Sequence, residues 1–477
     1  MRQELLIFPE PDGTYDYKAK PNGVVVKFDK GFKANTTYTM NFRNGIKDLN
    51  ERNNAKNLKL IFSTGEKIDS LSIEGKVTDL FNNRIVNEAT VALYEITDSL
   101  DIRKTKPTYF YKTDTSGIYK FENTKKGNYK MYAYLDRNNN LRYDPKNELV
   151  AFYKDTLKLT KNIAGLNFSI YMIDTLKPKV QKPLPRPDEY SVLYSEGIKK
   201  AKIKFENPAD SLPYIQEVKS IKFYNFPTKT DTIKVNITVT DSANNVFTHI
   251  QKVKFRETEK TTKKKKVEPL KFETKPKSGE DLEKTFTYKF MFDVPITNFD
   301  KTKIKIVSDT IKKEEVLDKE LVWNLTKNEL ILTKTVSANR EIKLETAKGT
   351  FISIKGDSSM LLTNKHKILN PEDYGLFEGK IDGGKENKII QLLDENYNKV
   401  QEIQSVDKFL FKNIKPGIYF VRVIIDTNGN GEWDFGSLAK EILPEKIFIT
   451  EKPFPIKANF ELRGQVISIK TESVNSK

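Results

Sequence analysis

The sequence predicts an all-β protein made of tandem β-sandwich modules. Apolar residues alternate with polar ones in short runs separated by turn residues, and the 3.6-residue period of helices is almost missing. Aromatic residues make up 11 %, with 29 Phe and 21 Tyr, a composition that suits strands and rules out general disorder. At 477 residues the chain exceeds what one core serves, because single cores stop growing beyond roughly 250–300 residues.

Taken from the start, the runs Gly23–Phe28 (GVVVKF), Thr37–Phe42 and Leu58–Phe62 read as strands closed by the turn Ser63–Glu66. They make a first module over residues 1–68. A second spans 69–175, with strands at Ser72–Val77, Ala89–Tyr94, Tyr109–Thr113, Ile118–Phe121, Tyr129–Leu135 and Leu166–Tyr171. The stretch Lys177–Pro187 (KPKVQKPLPRP) favours extended polyproline geometry and reads as a spacer. A β-rich module over 176–256 follows, including Thr232–Thr240 and Val246–Phe255 around the turn Asp241–Asn245. Residues 257–267 (ETEKTTKKKKV) are charged and of low complexity, so Lys263–Lys266 read as a solvated linker. Modules over 268–370 and 371–466 complete the chain, ahead of a polar tail, 467–477.

Two of these modules repeat. SIEGKV at Ser72–Val77 returns as LFEGKI at Leu376–Ile381, and KKGNYKMYAYLDRNNNLRYD at Lys125–Asp144 returns as KPGIYFVRVIIDTNGNGEWD at Lys415–Asp434. The glycines Gly127 and Gly417 stand at the same spacing from Asp136 and Asp426, and those from Asp144 and Asp434, which predicts one fold used twice. A fainter echo pairs Tyr38, Met40 and Gly45 with Ile342, Leu344 and Gly349 and predicts homologous first and fourth modules.

The loops DRNNNLRYD and DTNGNGEWD carry the chain's one metal-binding pattern. Oxygen-bearing side chains recur at alternate positions: Asp136, Asn138, Asn140 and Asp144 in one, Asp426, Asn428, Asn430 and Asp434 in the other. Calcium takes six to eight oxygens and is served by such alternation in a tight loop, with Arg142 or Glu432 lending a backbone carbonyl. Gly431 matches the glycine of the pattern and Leu141 does not, and the final ligand would have to come from Glu148 or Glu441. Two obligatory carboxylates per loop imply weak, structural calcium. The competing reading is hairpin turn chemistry alone.

Other chemistry is thin. Cysteine is absent, which excludes disulfides, thiolate nucleophiles and thiolate metal sites, and only His249 and His366 are present. No nucleophile elbow, zinc-protease helix or phosphate loop occurs. The formal net charge of +17 reads as solvated lysines on strand faces, Lys252 and Lys254 among them, and no nucleic-acid-binding motif accompanies it. Trp323 and Trp433 read as packing residues in preference to sugar-stacking platforms.

Three segments, QELLIFP at Gln3–Pro9, NTTYTMNFRNGIKDLNERN at Asn35–Asn53 and FSTGEKIDSLSIEGKV at Phe62–Val77, resemble Bacteroidota lipoproteins. In these the first module is an immunoglobulin-like domain of the S-layer (SbsA) type. TDTSGIYKF and YLDRNNNLRYD resemble the prealbumin-like, carboxypeptidase-regulatory-like domain that follows there. The resemblance implies an exported protein held at the outer membrane or cell surface by a lipid anchor, with Met1 falling inside the first domain. It names no catalytic residue and adds support for calcium at the Asp426 loop. The expected function is a non-catalytic scaffold or binding protein for a protein or glycan at the cell surface. The rivals are a glycan-processing enzyme or its accessory module, and an accessory subunit of an outer-membrane assembly or secretion machine.

Overall fold

The computed structural model describes residues 5–20, 23–42, 45–47, 53, 58–98, 100–174, 176–257, 268–309 and 312–469. The lysine run Lys263–Lys266, most of the 257–267 linker, the tail beyond residue 469 and parts of the Gln3–Pro9 and Asn35–Asn53 segments lie outside them. Among the described residues regular structure consists of strands and four single-turn 3-10 helices, and no helix is long and apolar enough to cross a membrane.

Alternation in the sequence becomes alternation of burial. In Ile233–Thr240 the residues Ile233, Val235, Ile237 and Val239 are buried, and the residues between them face outward. Lys252 and Lys254 are exposed on either side of buried Val253, so the lysines do serve as the wet half of a strand pattern. Separate cores form on this plan, each between two facing sheets. One gathers Ile7, Tyr38 and Met40, and another Tyr190, Phe223 and Ile237. A third centres on Phe290 and Phe351 and contains both Ile342 and Leu344.

The two repeated modules share a topology. In the second, Gly127–Tyr134 lies between Thr90–Glu95 and Val150–Phe152, and Leu71–Asp79 lies between Ile118–Thr124 and Phe168–Ile170. In the fifth, Gly417–Asp426 lies between Asn387–Leu393 and Ile447–Ile449, and Gly375–Asp382 lies between Lys408–Ile414 and Glu461–Ser468. In both, the last strand runs parallel to the first.

That closing strand explains the shared EGK. A Cβ on Gly75 would sit 2.6 Å from the Leu166 carbonyl carbon, and one on Gly379 would sit 2.5 Å from the Gln465 carbonyl oxygen. Only glycine lets the returning backbone come so close. The repeated G-x-Y has an equally local cause. Tyr129 and Tyr419 fold back over Gly127 and Gly417 and donate to the carbonyls of Lys125 and Lys415 at 2.8 and 2.7 Å.

One expectation needs correction. The proline-rich stretch is not a free spacer: Val180–Pro185 is an edge strand paired with Glu189–Tyr194 of the third module. Proline is tolerated there because an edge strand needs ladder donors on one side only. The modules do not lie end to end in chain order. The chain folds back so that the fifth module packs on the second, Trp433 and Leu438 joining Tyr134, Tyr143 and Tyr171 in one cluster. The third and fourth modules meet through Lys355 and Glu189 at 2.9 Å, and the fourth and fifth through Tyr374 and Asp281 at 2.7 Å.

Candidate functional site

Each candidate calcium loop leaves the end of a central strand, Gly127–Tyr134 or Gly417–Asp426, and both follow one path. Asp136, only 5 % exposed, accepts from the backbone N–H groups of Asn140 and Leu141 at 3.1 and 2.9 Å. Asp426, also 5 % exposed, accepts from Asn430 and Gly431 at 3.1 and 2.9 Å. The Oδ1 atoms of Asn138 and Asn428 accept from the residue two ahead, as do those of Asn140 and Asn430. These are the side-chain turns of the competing reading, present in both copies.

Leu141 does not break the pattern. It holds φ 59° where Gly431 holds 75°, and Asn139 holds 57° where Gly429 holds 71°. A left-handed leucine costs about 1–2 kcal/mol, which the two amides bound to Asp136 offset.

A glutamate closes each loop, and sequence reasoning identified it in one copy only. Glu148 accepts from the N–H groups of Arg137 and Asp144 at 3.1 and 2.8 Å. Burial pushes its carboxyl up, and those two amides pull back only part of the rise. In the second copy the closing residue is Glu445, taking Thr427 N at 2.6 Å and Asp434 N at 3.2 Å, and not Glu441. Glu441 instead pairs with Lys130 of the second module at 2.8 Å. Its distance from Asp426 in sequence hid Glu445, since the intervening chain makes an extra turn held by Ser437 and Ile442.

The predicted ligands thus lie together in each loop, already committed to one another. Asp434 receives the side-chain amides of both Asn428 and Asn430, which present nitrogen and not oxygen to it. Asp144 caps Lys146 N at 3.0 Å. The Glu432 side chain leaves the loop to pair with Lys199 of the third module. Carboxylates and amide oxygens are sufficient in kind for a hard cation. Asp434 and the two asparagines would have to turn to form one shell.

Among the described residues, three carboxylates converge elsewhere. Asp174, Glu196 and Asp241 bring oxygens within 4.8 Å of one another where the second module meets the third. Burial, then Asp174 and Asp241, raise the Glu196 carboxyl above the ordinary glutamate range. Burial first, and then Asp241, raises Asp174. No spacing pattern announces this group, because it comes from three separate elements.

Both histidines are engaged. His249 meets the Tyr194 hydroxyl at 2.8 Å, and burial lowers its pKa. His366, 2 % exposed, lies 2.8 Å from the Glu280 carbonyl through Nδ1. A carbonyl can only accept, so Nδ1 carries the proton. Trp323 packs among Phe292, Phe299 and Phe351, and Trp433 between Phe81 and Tyr171.

Residues 7–64 match the family described as a bacterial Ig-like domain. No curated protein matches the chain. Among solved structures, the chain is similar to BcpA, the major pilin subunit of Bacillus cereus, at 10 % identity and a TM-score of 0.16, covering 84 % of this chain and 99 % of that one. It is similar to the SGBP-B protein of the Bacteroides ovatus mixed-linkage glucan utilization locus, in complex with a mixed-linkage heptasaccharide, at 7 % identity and 0.19, covering 82 % and 94 %. The insect immune protein hemolin gives 10 % and 0.22, covering 91 % and 96 %. At such scores none of these likenesses bears on module arrangement or ligand.

Proposed function

We propose that this protein is a non-catalytic scaffold or binding protein of the bacterial cell surface, of the Bacteroidota lipoprotein type with an S-layer-like first domain. One observation carries the reading: the two histidines, Trp433 and the buried aspartates of the two loops are spent on internal contacts. His249 and His366 hold a hydroxyl and a carbonyl, Trp433 fills a contact between modules, and the buried loop aspartates hold backbone amides. Binding would then fall to exposed loops and strand edges, where the partner is a surface protein or glycan. Calcium in the Asp136 and Asp426 loops would be structural and weak.

The test is protease shaving of intact cells that make the natural protein, followed by peptide identification. Release of peptides from these modules before lysis is expected. Full protection until lysis, or turnover of a glycan by the purified chain, would sink the proposal.

A further inference from the structure

The contact between the second and fifth modules joins residues far apart in sequence. Trp433 meets the Phe81 ring edge-on at 4.8 Å and the Tyr171 ring at 5.7 Å. The Tyr171 hydroxyl donates to the Phe435 carbonyl at 2.9 Å. Arg422, 8 % exposed in the fifth module's sheet, donates to the Phe81 carbonyl at 2.5 Å, and its guanidinium lies over the Phe81 ring at 5.6 Å. Arg84 caps the Tyr397 ring at 5.4 Å, and Lys130 pairs with Glu441. Trp433 is held from behind by its indole N–H, which donates to Glu445 at 3.0 Å.

We propose that this contact is a mechanical latch, which carries tension from the second module straight to the fifth and leaves the third and fourth in a slack loop until it parts. Two features support the assignment. The contact joins the chain across the whole excursion from Asp174 to Tyr374, so a pull between its two sides loads it before it loads the modules between. It is also mixed, with a few rings, one buried guanidinium and one exposed ion pair, like the more polar interfaces between domains of one chain, which allow relative motion. Each sandwich, by contrast, is held by ladders of strand hydrogen bonds that must break together. Lys199 and Glu432 tie the third module to the same loop of the fifth, so that pair parts with the latch.

The chain has no cysteine, so Lys30→Cys and Lys452→Cys, at exposed positions of the first and fifth modules, provide unique handles for optical-tweezer pulling of the full chain. The expected trace has a first, reversible lengthening at lower force than any module's unfolding. In Trp433→Ala that step is lost and the molecule starts out longer. Phe81→Ala attacks the contact from the other side and decides the matter if Trp433→Ala loosens the fifth module. A parent trace without the early step, or a step that survives Phe81→Ala, would overturn the latch.

Discussion

Gly379→Ala tests the closing of the repeated module at one atom. The new Cβ would lie 2.5 Å from the Gln465 oxygen and 2.6 Å from the Phe409 ring, where carbon contacts settle near 3.5–4.0 Å. The strand Gly375–Asp382 has a neighbour on each side, so it has no free direction of escape. The obstacles are a backbone carbonyl and a ring 3 % exposed, neither of them a flexible tip. Overpacking of this kind costs about 3 kcal/mol. Alanine's smaller unfolded-state entropy returns about 0.7 kcal/mol, leaving a loss of about 2 kcal/mol. For a module of this size that is a Tm lower by roughly 10 °C. Trp433 reports the transition once Trp323→Phe removes the only other indole. Gly31→Ala, where an added Cβ meets nothing within 4 Å, is the control. A Trp433 transition within about 2 °C of the parent would refute the idea that the parallel strand imposes this glycine.

Other outcomes follow from the same geometry. Tyr129→Phe and Tyr419→Phe each remove one hydrogen bond to a carbonyl and should each cost about 1 kcal/mol in thermal unfolding of their modules. The raised carboxyls of Asp174 and Glu196 contribute stability that is full below their ordinary values and lost as pH rises through the folded values. Glu196→Gln should therefore raise the Tm at pH about 7 and leave it nearly unchanged at pH about 4, as differential scanning calorimetry would show; a variant less stable at neutral pH would contradict the repulsion. Calorimetric titration of the full chain with millimolar calcium should give heat that Asp434→Asn abolishes while the fold survives by circular dichroism. Heat unchanged by that substitution would remove the Asp426 loop as its source.

The sequence made the strands legible wherever one face is wet, because alternation then survives into burial, as in Ile233–Thr240 and Gly23–Phe28. It also revealed the repeat, and with it the two loops, since Asp136 and Asp426 are fixed by their own neighbours. What it hid depends on distant chain. Val180–Pro185 looks like a spacer because its strand character comes from pairing with Glu189–Tyr194. Glu445 reaches its loop across an intervening turn, and Asp174, Glu196 and Asp241 converge only after two modules dock. Trp433 reads as a packing residue in sequence, yet the surface it packs on belongs to another module.

Small-angle scattering of the full chain in solution tests the folded-back arrangement most directly. The contact between the second and fifth modules predicts a maximum dimension well short of five modules laid end to end, with a pair-distance distribution that falls off smoothly. A rod-like distribution reaching about five module diameters would contradict the contact between the second and fifth modules.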